Sequence, residues 1–164
     1  MSSSSSEGAV CSPFTRYALN LQGFSALTDA DKRAYELPLR FTPAVCSALV
    51  IVGTMLHWPV WQFALAGVAI LGTLFARGLL IDAVYNYGVR HLFKANMLPG
   101  NPRPRRFACF VSALMLTGSG LGFLFDVPLV GLVVGGALAV VLVVNTLANW
   151  CLGAWMYRLL RLPV

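Results

Sequence analysis

Residues 77–106 read RGLLIDAVYNYGVRHLFKANMLPGNPRPRR, a polar middle set between two long apolar halves. Six of the twelve Lys and Arg residues lie in it: Arg77, Arg90, Lys94, Arg103, Arg105 and Arg106. Each flanking block has about the length needed to cross a bilayer twice with a tight turn between passes. The stretch thus divides the chain into two hairpins and predicts where each is anchored.

Composition supports that division. Of 164 residues, 58% are hydrophobic and 11% charged, with a mean hydropathy of +0.74. A small soluble core cannot bury that much apolar surface, so an integral membrane protein is expected. A net charge of +6 and a pI near 9.6 would point a soluble chain toward nucleic acid. Here the cations flank apolar spans, where they set topology and meet anionic lipid, and nucleic-acid binding is excluded as a reading. Four cysteines stand singly, without a C-x-x-C or a His partner at ligand spacing, which argues against a disulfide framework or a zinc site.

Met1 to Gly8, with five consecutive serines, reads as a mobile tail, and no secretory signal is visible. Residues 11–24 mix aromatics with polar groups and are placed along the membrane surface or a neighbouring protein. Thr28 followed by Asp29 and Asp31 signals a helix start, and Pro38 is expected to stop that short helix. The first span is predicted over 41–56, with Pro43 in its opening turn. His57-Trp58-Pro59 forms a turn with Trp58 and Trp61 at headgroup depth. The second span covers 60–76, with an extension to Ile81 through a snorkelling Arg77.

In the middle stretch, Ile81, Val84, Tyr85, Gly88 and Leu92 share one face of a helix over 80–93. Asp82, Asn86 and Arg90 fall on another row, read as a solvated face, so an amphipathic surface helix is expected. Met97 to Pro104, with three prolines, predicts a stiff extended connector. The third span is predicted over 107–125, a turn at Asp126-Val127-Pro128, and the fourth span over 129–157. Neither turn carries Lys or Arg, so the positive-inside rule puts both termini and the middle stretch in the cytosol. The opening Arg40-Phe41, Cys46 and Pro59 are echoed by Arg106-Phe107, Cys109 and Pro128, as in parallel repeats related by an axis along the membrane normal.

Several groups of residues invite a functional reading. Gly118 with Gly122, and Gly131 with Gly135, are four apart and suit close helix packing. Asn145 and Asn149, one turn apart in the fourth span, need partners in hydrocarbon and predict interhelical hydrogen bonds. Cys46, Cys109 and Cys151 fall at a shared depth near the cytosolic ends of their spans, which places three thiols in one layer. Buried free cysteine also serves as a small apolar residue. His57 and His91 are read as polar interface residues, with haem or chlorin ligation as the alternative. Arg90, Arg103, Arg105 and Arg106, with Trp58 and Trp61, are candidates for headgroup or partner contact. No catalytic constellation, metal-ligand set or cofactor motif appears.

Four runs of sequence carry a family resemblance: Leu39 to Cys46, Asp82 to Arg90, Asn101 to Cys109, and Asn145 to Tyr157. They resemble a bacterial integral-membrane family catalogued as domain of unknown function 4395. That resemblance implies a four-helix inner-membrane protein without an established activity. It also implies, in many relatives, a Cys-Leu-Gly-Cys-like motif in the last span and, in some, neighbouring rhodanese or thioredoxin-like proteins. Here the motif reads Cys151-Leu152-Gly153-Ala154, so the second thiol is missing and a single-cysteine site at Cys151 is what carries over.

The expected architecture is all-α: a four-helix membrane bundle of two hairpins joined by a cytosolic amphipathic helix and a Pro-rich connector. Its parts are an N-terminal segment (1–38), a first hairpin (39–81), the middle stretch (82–106), and a second hairpin with tail (107–164). The leading functional expectation is a small non-catalytic subunit or accessory protein, in lipid and beside other membrane subunits of a bacterial inner-membrane complex. Two alternatives are a thiol-dependent redox or sulfur-transfer protein using Cys151, with Cys46 or Cys109 as partner, and a pigment- or quinone-binding subunit with His57 and aromatics lining its site.

Overall fold

A computed structural model describes residues 12–75, 80–89 and 100–160. The serine-rich tail, Arg77, Arg90, His91, Lys94 and residues 97–99 of the expected connector lie outside the described residues. Within them the chain is helical, without a strand. Helix α1 is Pro13–Leu21, α2 Asp29–Met55, α3 Pro59–Leu74 and α4 Leu80–Val84, which runs on into a π-helical turn over Tyr85–Val89. The second half holds α5 Arg103–Leu124, α6 Pro128–Ala148 and α7 Leu152–Leu159. Three helices, α2, α5 and α6, are long and apolar enough to cross a membrane. The apolar α3 has 16 residues, or about 24 Å, short of a hydrocarbon core of ~30 Å.

Local signals explain most of the helix starts. Thr28 Oγ1 accepts from the Asp31 N–H, as its position before Asp29 predicts. Proline opens α1, α3, α5 and α6, where its missing N–H removes no helical bond. The breaks use left-handed residues that are not glycine: His57, Asp126 and Asn149, polar types that tolerate this region better than others.

Four expectations fail here for identifiable reasons. Pro38 does not end the first helix; α2 runs through both Pro38 and Pro43. Each proline removes one backbone bond, and packing of Pro38, Leu39, Thr42 and Pro43 against the rest of the chain offsets the loss. Helix α3 stops at Leu74 with Phe75 extended, rather than continuing toward Ile81. The Pro-rich run is not an extended connector up to Pro104, because α5 already begins at Arg103 and takes Pro104 into its first turn. The fourth helix does not reach 157: it ends at Ala148, and a left-handed Asn149 turns the chain into the short α7.

The long helices pack so that each hairpin's first helix lies on the other's second: α2 on α6 and α3 on α5, with α5 also against α6. A twofold axis through the middle would give this arrangement. The central core is built from Val50, Ala66, Ala69, Ala113, Leu116, Leu138 and Ala139, and its many small side chains let the helices approach closely. A second cluster, Leu19, Phe24, Leu39 and Tyr85, closes the end that carries α1, α4 and α7.

Candidate functional site

A cavity of about 150 Å³ is walled mostly by apolar side chains of all four long helices and of α7. Cys46 comes to it from α2, Cys109 from α5, and Cys151 from the break before α7. All three are free thiols. The sequence separates them by more than one hundred residues end to end, yet the crossed packing of the hairpins brings them to one chamber. Cys109 is the middle one, close enough to feel the charge state of both Cys46 and Cys151. Backbone approach favours its Cys151 side: a Cβ on Gly153 would sit 2.6 Å from the Ala108 Cβ, so the chain beside Cys151 lies directly on that beside Cys109. Among the described residues no cluster of His, Cys, Asp or Glu has the geometry of a metal site.

Polar groups gather at the same end. Asp82 is 8% exposed; it accepts from the Thr42 hydroxyl on one oxygen and from Asn101 Nδ2 at 3.2 Å on the other. The solvated face expected for Asp82 is therefore a buried anchor, tying the middle stretch to α2 and to the entry of α5. Tyr85 does sit on the apolar face, buried against Phe41, whereas Val84 and Gly88 of that face are exposed. Arg105 lines the cavity, with its guanidinium 5.8 Å from the Phe24 ring. Asn101 lines it too and is 4% exposed. Asn101 Oδ1 and Arg105 Nη1 are buried without a hydrogen-bond partner.

Cys151 lies beyond the end of α6, outside the spanning helices. Burial pushes its thiol up; the amides of Ala154 and Gly153 and the Arg105 guanidinium pull the other way without overcoming it. The neutral thiol is therefore the resting form at neutral pH, poised beside groups that favour a thiolate once a proton leaves. Ala154, where the family resemblance implies a second thiol, is fully buried.

The remaining candidates divide between packing and anchoring. Arg106 donates from Nε to the Thr73 carbonyl and from Nη2 to the Leu74 carbonyl, both at 2.8 Å. It thereby caps the negative end of α3, where headgroup or partner contact was expected. Arg103 is exposed at the start of α5. Trp58 is half exposed and stacks on Trp61, and Trp61 bonds the Leu49 carbonyl and fills the notch at Gly53. Gly122, Gly131 and Gly135 meet Gly131 backbone, Phe123, and Thr54 with Ser119 respectively, whereas Gly118 has only Val134 at 3.9 Å. Asn145 lines the cavity, while Asn149 donates to the Glu36 carbonyl and accepts from Gln22 through its own carbonyl. His57 packs on Phe123 and is not among this cavity's lining residues.

Asn101 and Thr42 carry no motif, and Asp82 reads from sequence as solvated. Their signals were slight: an Asn flanked by Pro-Gly and Pro, and a single acid between Glu36 and Asp126. The family described as Domain of unknown function (DUF4395) matches residues 36–161. The chain belongs to that family. The DUF4395 span holds all three cavity thiols, Asp82, Asn101 and Arg105, while α1 and the first turns of α2 precede it. No curated protein and no solved structure matches the chain.

Proposed function

We propose that this protein is a thiol-dependent redox protein of the bacterial inner membrane, with Cys109 and Cys151 as its reacting pair. The observation that carries this reading is the convergence of Cys46, Cys109 and Cys151 on one cavity whose polar end holds Arg105. In that membrane all four long helices cross, the short α3 by local thinning or by snorkelling of its flanks. The arginine-rich end, with both termini and the mouth of the thiol chamber, faces the cytosol. Cys46 is the third thiol of the chamber. Of the four helix-packing glycines, Gly122, Gly131 and Gly135 are filled from within the chain, which leaves less of that face for a docking subunit.

The test is disulfide mapping in the intact protein. Purified protein in lipid nanodiscs is treated with diamide, alkylated, digested and mapped by mass spectrometry. A Cys109–Cys151 linked peptide is expected, unchanged by Cys46→Ser and lost with either Cys109→Ser or Cys151→Ser. Three thiols that stay reduced and unlinked after diamide would defeat the reading.

A further inference from the structure

Helix α1 supplies none of the residues that line the thiol chamber, yet its C-terminal end touches the chain on both sides of Cys151 and at the entry of α5. The lining includes Asn101 and Arg105 at that entry, and Cys151 and Met156 at α7. Residues 20–24 meet both stretches from outside. Gly23, at φ +98°, lies so close that a Cβ there would be 2.7 Å from the Pro102 Cβ and 3.3 Å from the Pro104 Cδ, next to Asn101 and Arg105 respectively. The Phe24 ring is 5.8 Å from the Arg105 guanidinium. Gln22, itself buried, donates to the Asn149 carbonyl, two residues before Cys151. Arg158, two residues after Met156, donates to the carbonyls of Leu21 and Asn20. Each contact therefore falls on a lining residue or within two positions of one.

A segment placed in this way joins two separate parts of the wall without belonging to it. Its own stability is slight, because α1 has nine residues and an isolated helix shorter than roughly 12–15 residues is marginal. Ala18 and Leu19, both fully buried, hold it in place, and Arg158 caps the negative end of its dipole. Release breaks the Gln22 and Arg158 bonds and lifts Gly23 and Phe24 from the α5 entry, while the long helices keep their contacts with one another. That is the pattern of a sub-global opening at a chain end. We infer that residues 13–24 are a gate beside Cys151: docked, they hold the α5 entry to α7 and keep water-soluble thiol reagents out, and released, they admit them.

The gate rests on the thiol reading for its use, since a reacting pair must meet a partner, but not for its existence. Cys151 is 8% exposed with the gate docked, so access to it from water reports the gate whether or not a disulfide ever forms.

The experiment follows alkylation by a charged, membrane-impermeant maleimide in full-length protein in nanodiscs. Cys11→Ser, Cys46→Ser and Cys109→Ser together leave Cys151 as the sole thiol. Slow alkylation is expected with the gate intact. Gln22→Ala combined with Arg158→Leu should raise the rate ~tenfold, with amide exchange over residues 18–24 faster by the same factor. Gly23→Ala, which sets a Cβ against Pro102 at a left-handed position, should act in the same direction and serves should the double variant fail to fold. A companion protein with Cys151→Ser added and Ala66→Cys as its sole thiol, in the central core, reports opening of the whole bundle and should stay unreactive throughout. Cys151 rates unchanged by the gate substitutions overturn the inference, and so does an Ala66→Cys protein that reacts in step with Cys151. Thiols that never link under diamide while Cys151 access follows the gate would sink the thiol reading and leave the gate standing; a diamide-formed disulfide with gate-independent access would do the reverse.

Discussion

Gly118 and Gly122 look equivalent in sequence, but the structure gives them opposite mutational signs. A Cβ on Gly122 would lie 2.6 Å from the Gly131 backbone nitrogen and 3.0 Å from its Cα. Backbone cannot rotate away, so α5 and α6 must part locally by about 0.8 Å to restore ordinary contact at 3.4 Å. A gap of that size forfeits a quarter to a half of each facing contact, and overpacking of this kind costs about 1–3 kcal/mol. Ala is favoured over Gly within a helix by ~1 kcal/mol, so Gly122→Ala should be destabilising by up to about 2 kcal/mol. At Gly118 the nearest atom is Val134 Cγ1 at 3.9 Å, and Gly118→Ala should stabilise by ~0.5–1 kcal/mol. The gap between the variants is then about 0.5–3 kcal/mol, at its upper end a factor of about one hundred in the folded-to-unfolded ratio. Reversible unfolding by SDS in mixed micelles, followed by tryptophan fluorescence, measures it. Equal stabilities for the two variants would mean that α5 and α6 do not cross at Gly122.

Further outcomes follow from the end of the bundle. Arg106→Gln removes two charge-assisted bonds to the end of α3, one of them solvent-exposed; a loss of about 1–3 kcal/mol is expected, with faster amide exchange over the last turn of α3. Asp82→Leu strands the Thr42 hydroxyl and Asn101 amide, at ~1–3 kcal/mol each. Asp82→Asn should be milder, since the new amide can donate to a reoriented Asn101 oxygen; equal melting temperatures for these two variants would contradict the buried anchor. Because the Cys151 pKa is raised by burial, the thiolate is scarce below the ordinary thiol range. Its alkylation by a membrane-permeant maleimide should still be climbing with pH above the usual value of 9.0, whereas a plateau near neutrality would refute the assignment.

What could be read from sequence was what periodicity and charge control. Hydropathy located the apolar segments, Thr28 marked the start of α2, and the turns at His57 and Asp126 fell where Trp58-Pro59 and Val127-Pro128 indicated. Several misreadings arose where tertiary contacts outvoted a local rule. Pro38 and Pro43 stay helical because their surroundings are packed, and Asp82 leaves water because Thr42 and Asn101 are waiting for its two oxygens. Arg106 reads as an anchor until the open end of α3 is placed beside it. The shared depth of the thiols was visible, but their convergence required the crossed pairing of the hairpins. Asn101 had no pattern to betray it, since an unpaired oxygen is a property of surroundings and not of spacing.

The bond from Gln22 to the Asn149 carbonyl spans 127 residues, and Arg158 closes the same seam by donating to the carbonyls of Leu21 and Asn20. At a synthesis rate of ~5–20 residues per second, α1 leaves the ribosome on the order of ten seconds before its binding surface exists. During that interval Leu19 has only its early neighbours Phe24, Leu39 and Tyr85, and the seam with Asn149 and Arg158 stays open. Closure of that seam is therefore a late event of assembly, and a chain cut short before Asn149 should leave α1 more open to protease than in the full-length protein while the earlier helices are already in the bilayer.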